Sequence, residues 1–192
     1  GNTVGASNDR TLLTGANLDV DIDLIGATNV ITGDFIGAGE SGSDDLKISQ
    51  TGSTNTTAIN VGASAATDDV KILETRVGSS GATTYTIGNA ATVQDVSVTV
   101  DVVGDDIDIT LVENSSSTGS DKTTDIDIAT DSDDVDIAVT HTGAGAHKTK
   151  LLCTGSCAGS DFTMSQTGAN STDVDLTVTN ATSSDVDITI TD

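Results

Sequence analysis

The sequence is poor in the residues that build thick hydrophobic cores. Its 192 residues include no tryptophan and no proline, and there are one tyrosine and two phenylalanines. The 35% of hydrophobic residues are therefore mostly aliphatic, which allows a thin core but excludes one packed with aromatic rings. Only three of the 30 acidic residues are glutamate, and the abundance of Asp, Thr and Gly excludes an all-helical fold. The length predicts one domain.

Basic residues are equally scarce. Seven Lys and Arg stand against 30 Asp and Glu, so the formal net charge at pH 7 is −23. This charge repels phosphate groups, which excludes unassisted binding to nucleic acids and to anionic membranes. No run approaches the roughly 18 apolar residues of a membrane span, so we expect no membrane insertion. The chain begins at Gly1 without a methionine, which favours an extracellular protein after signal-peptide cleavage.

A four-residue pattern recurs along most of the chain: an aspartate, then an apolar, a polar and a second apolar residue. This period-two alternation predicts β-strands with one apolar and one polar face. The copies start at Asp19, Asp45, Asp69, Asp95, Asp106, Asp125, Asp134, Asp161, Asp173 and Asp185. The last three copies start about 12 residues apart, and Gly, Ser, Thr and Asn lie between them as turn formers. Two strands with their turns therefore make a rung of about 24 residues.

Two all-β architectures fit this pattern. The near-identical units and the scarcity of aromatics favour a β-solenoid, in which strand-turn-strand rungs stack and bury a narrow aliphatic seam. An antiparallel β-sandwich is the alternative, because it also needs strands every 8 to 12 residues or so. We assign residues 18–192 to the repeat domain. Residues 1–17 lack the pattern, and we expect this N-terminal segment to cap the first rung or to be donated to a neighbouring molecule as a strand.

The two ends of such a solenoid predict self-association. The last repeat runs to the C-terminus and carries Ile188 and Ile190 with no capping sequence after them. Leu12 and Leu13 are apolar residues of the N-terminal segment. Because unpaired strand edges recruit further strands, we expect these residues to contribute to contacts between copies of the chain.

Two segments carry a more specific motif. Residues 45–55 and 161–170 are each a strand followed by Gln, Gly and Asn, at Gln50, Gly52 and Asn55 in the first segment. The second segment has Gln166, Gly168 and Asn170. These segments resemble the curlin repeat of bacterial curli fibres. The resemblance implies an extracellular, self-assembling, amyloid-like β-solenoid fibre subunit of a surface or biofilm matrix.

The charged residues suggest two further sites. Stacked rungs would bring outward aspartates to about 4.8 Å from one another, where like charges repel by roughly 1 to 4 kcal/mol. Asp106, Asp108, Asp134 and Asp136 are candidate Ca²⁺ ligands that could offset this repulsion, although no cofactor is required and a solvated acidic face is the alternative. Lys148 and Lys150 form a basic island that could receive the acidic face of another copy.

Cysteine and asparagine residues predict covalent modifications. Cys153 and Cys157 flank a glycine-containing turn and predict a local disulfide in an exported chain. A zinc site with the nearby His141 and His147 is the weaker alternative, because the cysteine spacing differs from the common one. Asn55, Asn114, Asn170 and Asn180 begin Asn-x-Ser/Thr sequons and are candidate glycosylation sites.

The sequence contains no catalytic motif: a nucleophile elbow, a phosphate loop and a metal-hydrolase motif are all missing, and the repeated Asp pairs are too numerous to define one active site. We therefore expect a structural subunit of an extracellular fibre rather than an enzyme. The alternative from another class is a monomeric solenoid. It would be a Ca²⁺-binding adhesin segment, or an ice-binding protein that uses outward Thr-x-Thr pairs such as Thr84 with Thr86.

Overall fold

The computed structural model describes residues 1–5, 11–15, 17–37, 44–62, 67–88, 93–114, 121–128, 134–168 and 170–191. Within these residues the chain forms sixteen β-strands and no helix. Accordingly, no helix with the length and apolar character of a membrane span occurs in this part of the chain.

The strands form two sheets, which we call the first and the second sheet. The first sheet contains, in spatial order, β1 (Asn2–Val4), β4 (Thr28–Gly37), β6 (Thr54–Val61), β8 (Ser80–Ile87), β10 (Ile107–Asn114), β12 (Val135–Thr142), β14 (Asp161–Thr167) and β16 (Asp185–Thr191), and β2 (Thr11–Gly15) also pairs with β4. The second sheet contains, in spatial order, β15 (Ser171–Val178), β13 (Ala146–Cys153), β11 (Lys122–Ile128), β9 (Val93–Val103), β7 (Thr67–Val77), β5 (Asp44–Thr51) and β3 (Asp19–Ile25).

The two sheets form a β-solenoid, as the repeats predicted. Its coil makes about six turns of roughly 26 residues each. The paired strands in both sheets run parallel, for example β3 with β5 and β10 with β12. Parallel pairing of strands that follow one another by a full turn rules out the antiparallel sandwich, because a sandwich joins neighbouring strands by hairpins.

The turn length is longer than the predicted 24 residues over most of the coil. A spacing of 24 residues would pair Asp45 with Asp69. In the structure Asp45 pairs instead with Lys71, two residues further along the chain. Asp69 and Asp95 have positive φ values of 50° and 49° and bend the backbone near the start of β7 and β9. At the C-terminal end Asp161 pairs with Asp185, which matches the predicted spacing.

Alternate side chains of both sheets point inward and form a narrow core. Ile48, Ile72 and Ile126 of the second sheet are completely buried. Phe35, Tyr85 and Phe162, the three aromatic residues counted above, are at most 1% exposed and all lie on the first sheet. Burying one isoleucine, leucine or valine side chain contributes about 1.5 to 3 kcal/mol to the free energy of folding. The repeated inward positions therefore supply much of the stability of the fold.

One corner of the coil requires glycine and asparagine. A Cβ atom on Gly104 would lie 1.8 Å from the carbonyl oxygen of Gly78, so a side chain there would collide with the neighbouring rung. At the same corner Nδ2 of Asn2 donates to Oδ1 of Asn29 at 3.0 Å, and Nδ2 of Asn29 donates to Oδ1 of Asn55 at 2.9 Å. These close contacts hold successive rungs in one register at the N-terminal end.

Candidate assembly surfaces

Strand β16 forms the C-terminal end of the solenoid among the described residues. All seven residues of β16 are exposed, and Val186, Ile188 and Ile190 are 46%, 42% and 51% exposed. These side chains point toward the interior, because their register partners on β14 are the buried residues Phe162, Met164 and Gln166. Apolar side chains on a strand with a free edge are a typical docking surface for another strand.

The N-terminal end also exposes part of the core. Strand β3 is the terminal strand of the second sheet, and its inward residues Val20, Ile22 and Leu24 are only half-buried. On the first sheet, Leu13 of β2 is half-buried and packs against the core. Leu12 pairs in register with Asp34, and its side chain is not among those described. The role of these leucines in assembly stays a prediction.

Four aspartates form a straight row on the outer face of the first sheet. Asp108 pairs in register with Asp136, Asp136 with Asp161, and Asp161 with Asp185. Partial desolvation and the neighbouring carboxylates, first that of Asp161, raise the pKa of Asp136 above its ordinary value. The row therefore concentrates negative charge along one line of the surface.

The predicted Ca²⁺ ligands are divided between this row and the turns before it. Asp106 and Asp134 occupy those turns with φ values of 46° and 65°, whereas Asp108 and Asp136 lie side by side on the strands. Among the residues that the structure describes, no group of three or more His, Cys, Asp or Glu side chains is arranged to hold a metal ion. Calcium binding stays a prediction.

The basic island lies on β13 between acidic residues of the same chain. Nζ of Lys150 lies 3.0 Å and 3.1 Å from the two carboxylate oxygens of Asp125, and this contact raises the pKa of Lys150. Lys148 pairs in register with Asp173. Both lysines thus have acidic neighbours within the chain, and their predicted contact with another copy is untested.

A charged cluster lies inside the solenoid between the two sheets. Oε1 of Glu74 accepts hydrogen bonds from the hydroxyls of Thr57 and Thr83 at 2.8 Å and 3.1 Å, and Oε2 accepts one from Tyr85 at 2.9 Å. Nη1 of Arg76 donates to Oγ1 of Thr83 at 2.8 Å, whereas its buried Nη2 has no hydrogen-bond partner. Burial lowers the pKa of Arg76, and nearby Glu74 partly opposes that shift. The opposite charges of Glu74 and Arg76 offset part of their desolvation cost.

A second buried cluster contains both histidines. Burial raises the pKa of Glu113 to about 8 and lowers that of His141 to about 3. Oε2 of Glu113 lies 3.2 Å from Nε2 of His141 without a hydrogen bond between them, and Nε2 lies 2.9 Å from the hydroxyl oxygen of Thr124. Nζ of Lys122 lies 3.4 Å from Nε2 of His147, and burial lowers the pKa values of both groups. All four side chains are at most 1% exposed, so a substrate cannot reach them.

The predicted modification sites differ in accessibility. Cys153 and Cys157 are joined in a disulfide, which leaves no thiolate for the zinc alternative. Asn55 is completely buried and its Nδ2 donates to the carbonyl oxygens of Gly52 and Val77, so a glycan has no access to Asn55 in the folded chain. Asn114 is half-buried at the end of β10, whereas Asn170 and Asn180 are exposed. Glycosylation of these three stays a prediction.

Comparison with known proteins identifies no relative of this chain. No protein-family model matches it, and neither a curated protein nor a solved structure shows significant similarity to it. The fold defines the chain as a β-solenoid protein.

Sequence reasoning missed the two charged clusters, although the pattern contained a usable signal. Val70 and Ile72 are inward residues of β7, and the same alternation places Glu74 and Arg76 inward. In β12 the inward series Val135, Ile137 and Val139 likewise continues to His141. Extending each alternation to the end of its strand would have identified these residues.

Proposed function

We propose that this chain is a structural subunit of an extracellular filament, in which copies stack end to end through their terminal rungs. The observation that carries the proposal is the pair of open ends. Each exposes apolar side chains that point toward the core, with Val186, Ile188 and Ile190 at one end and Val20 and Ile22 at the other. Stacking the C-terminal end of one copy on the N-terminal end of the next would bury both surfaces and extend both sheets across the junction.

The stacking register supports this proposal. We use the word column for the residues that occupy one register position in successive rungs. In the second sheet, Leu176 on β15 shares a column with Ile22 on β3. Val174 shares a column with Val20, and Val178 shares one with Leu24. An end-to-end stack in this register therefore places apolar residues on apolar residues across the second sheet.

The disulfide supports an extracellular location. Disulfides persist in oxidising compartments such as the cell exterior and are rare in reducing ones. The Cys153–Cys157 bond closes a loop near the C-terminal end of the second sheet. Because the proposed role is assembly, it requires neither a cofactor nor a catalytic group.

The proposal is tested by imaging and diffraction of the purified chain. We expect unbranched filaments by negative-stain microscopy above a critical concentration, with a fibre repeat near 4.8 Å along the axis. Ile188→Asp places a charge in the apolar end and should raise the critical concentration at least tenfold. Thr191→Asp is the matched control, because it adds the same charge to the outer face of the same strand. Monodisperse particles at all concentrations would contradict the proposal.

A monomeric Ca²⁺-dependent adhesin segment is the second candidate. It is supported by the row of Asp108, Asp136, Asp161 and Asp185, because carboxylate oxygens are preferred ligands of Ca²⁺. This candidate predicts a monomer whose melting temperature rises on addition of millimolar CaCl₂. Asp136→Asn should then remove the rise, whereas Asp21→Asn on the second sheet should leave it unchanged.

The ice-binding alternative finds less support in the outer face of the first sheet. Thr84 and Thr86 point outward on β8, and Thr84 pairs in register with Thr110. The column then continues through Ala138 to Thr163 and ends at Asp187, so the threonine array is interrupted.

A further inference from the structure

The two sheets contain different numbers of layers. Strands β1 and β2 both pair with β4 and together form one extra layer of the first sheet. With that layer, the described residues form eight layers in the first sheet and seven in the second. Without it, strands β3 to β16 form seven layers in each sheet. The extra layer is therefore the only mismatch between the sheets within the described residues.

This mismatch matters for the stack of copies proposed above. Both sheets advance by the same 4.7 to 4.9 Å per layer. If every copy kept eight layers on one side and seven on the other, the two sheets would lose alignment by one layer at each junction. A stack of seven-layer units, by contrast, continues both sheets without a gap.

On the basis of the proposed function, we infer that β1 and β2 are a displaceable cap on β4, and that β16 of the adjoining copy takes their place during assembly. We call β1 and β2 the cap segment. In the free subunit the cap segment covers the edge of β4, and in the filament the same edge pairs with β16. The occupant of this edge is thus a second copy of the chain.

The columns of the first sheet match this exchange. The column of Val186 leads back through the sheet to Ile31 on β4, and that of Ile190 leads back to Phe35. The column of Ile188 leads back to Gly33, the inward position of β4 that has no side chain. Strand β16 would therefore place its three exposed aliphatic side chains on inward positions of β4, with one over the glycine.

The cap segment is a less continuous partner for β4 than β16 would be. It pairs through two pieces of three and five residues, whereas β16 is a single strand of seven residues. A small cavity of about 20 Å³ lies beside Gly33 and is lined by residues that include Val4, Leu13 and Ile31. A continuous strand can make more ladder hydrogen bonds and remove this void, which favours replacement.

A reversible disulfide lock tests the inference in the full-length chain. Thr3 and Val30 are register partners on β1 and β4, and adjacent strands have a spacing suitable for a disulfide. In the double variant Thr3→Cys with Val30→Cys, oxidation should fix the cap segment to β4 and raise the critical concentration at least tenfold. Mild reduction should restore the unlocked value. The unaltered chain under both redox conditions controls for reduction of Cys153–Cys157.

Intermolecular cross-linking provides the second measurement. Asp185 and Val30 share a column but lie six layers apart in one chain, or roughly 29 Å, so they can form a disulfide only between copies. If β16 replaces the cap segment, Asp185→Cys with Val30→Cys should form covalent oligomers in filaments. Asp185→Cys with Thr3→Cys should form few, because Thr3 would no longer lie at the junction.

The outcomes separate the inference from the proposed function. Filaments of the oxidised lock at the normal critical concentration, or efficient Asp185–Thr3 cross-linking, would overturn the displaceable cap and leave the filament proposal standing. If neither the unaltered chain nor the reduced variant forms filaments, the proposed function fails, and the inference fails with it.

Discussion

The central and terminal rungs of this solenoid have the same alternating pattern but different burial. Ile109 on β10 and Ile188 on β16 both point inward from the first sheet, yet Ile109 is 1% exposed and Ile188 is 42% exposed. The difference arises because β10 has a neighbouring strand on each side, whereas among the described strands β16 pairs only with β14. Burial in a solenoid is supplied by the adjacent rungs, so a terminal rung remains a site where another rung can bind.

The largest expected effect concerns the charged centre. Glu74→Ala removes the carboxylate that accepts three hydrogen bonds and leaves the charge of Arg76 buried without its counter-charge. We expect the free energy of unfolding to fall by about 3 to 5 kcal/mol, as measured by urea denaturation. Thr75→Ala, at the exposed neighbouring position, is the control and should change stability by less than about 0.5 kcal/mol. Equal effects of the two substitutions would contradict a charged centre.

The same truncation at a central and a terminal isoleucine tests the comparison directly. Ile109→Ala should lower the free energy of unfolding of the monomer by about 2 to 5 kcal/mol, because it leaves a cavity between two rungs. Ile188→Ala should cost about 1 kcal/mol or less in the monomer, because that side chain is already partly hydrated. Urea denaturation below the critical concentration measures both, and similar losses would show that β16 is covered in solution.

The pH dependence of stability should reflect the buried histidine cluster. The pKa of Glu113 is about 8 in the folded chain and about 4.5 in the unfolded chain. Between these pH values Glu113 therefore carries a proton only when the chain is folded. Its stabilising contribution is complete below pH 4.5 and is lost as the pH rises to 8. His141 has the opposite effect on stability, because folding lowers its pKa to about 3. Its stabilising contribution is complete above pH 6.5 and is lost as the pH falls from 6.5 to 3. The two slopes cancel between about pH 4.5 and 6.5.

The interval from pH 6.5 to 8 isolates Glu113. Between these values stability should decline by at most about 1.4 kcal/mol per pH unit, because only the titration of Glu113 remains among these two groups. Glu113→Gln keeps the shape of the side chain but cannot ionise, so it should flatten the decline. Urea midpoints at pH 6.5 and 8 for both proteins provide the measurement, and an unchanged slope in the variant would exclude this assignment.

The smallest effect concerns salt at the junction between copies. The column of Asp173 leads back to Asp19 and that of Asp175 leads back to Asp21, so end-to-end stacking brings acids together on the second sheet. Each pair should oppose assembly by about 1 kcal/mol in water, and the repulsion should weaken as salt is added. The critical concentration should therefore fall severalfold between 10 and 150 mM NaCl.

Neutralising one side of the junction identifies its contribution. The double variant Asp173→Asn with Asp175→Asn should show a smaller salt dependence, measured by sedimentation of filaments at each NaCl concentration. Asp105→Asn removes a charge from an exposed turn in the middle of the coil and serves as the control. If both proteins respond to salt like the unaltered chain, the two copies do not meet in this register.

Much of the fold was predictable from the sequence, because a solenoid repeats its local pattern. The alternation of Asp19, Val20, Asp21 and Ile22 appears in the structure as outward and half-buried inward positions of β3. The number of residues in each turn of the coil was less predictable, because it depends on backbone bends such as that at Asp69, which has a positive φ. The four-residue motif does not specify how many residues form the bend that precedes it.

The candidate site was predicted in part. Ile188 and Ile190 were identified from their position near the C-terminus, and the structure places both on an exposed terminal strand. The half-buried residues Val20 and Ile22 of β3 were not identified as end residues, since their sequence resembles that of any interior repeat. Which rung is terminal depends on the stacking order, which local sequence does not specify.

The sequence by itself determined the strand character, the two-faced alternation and the excess of outward acids, because each depends on residue type and on the period of an extended backbone. The tertiary structure alone decided which side chains share a column, that Glu74 and Glu113 lie inside, and that one sheet has an additional layer. Those features arise from contacts between residues a full turn apart, and such contacts exist only after the coil has closed on itself.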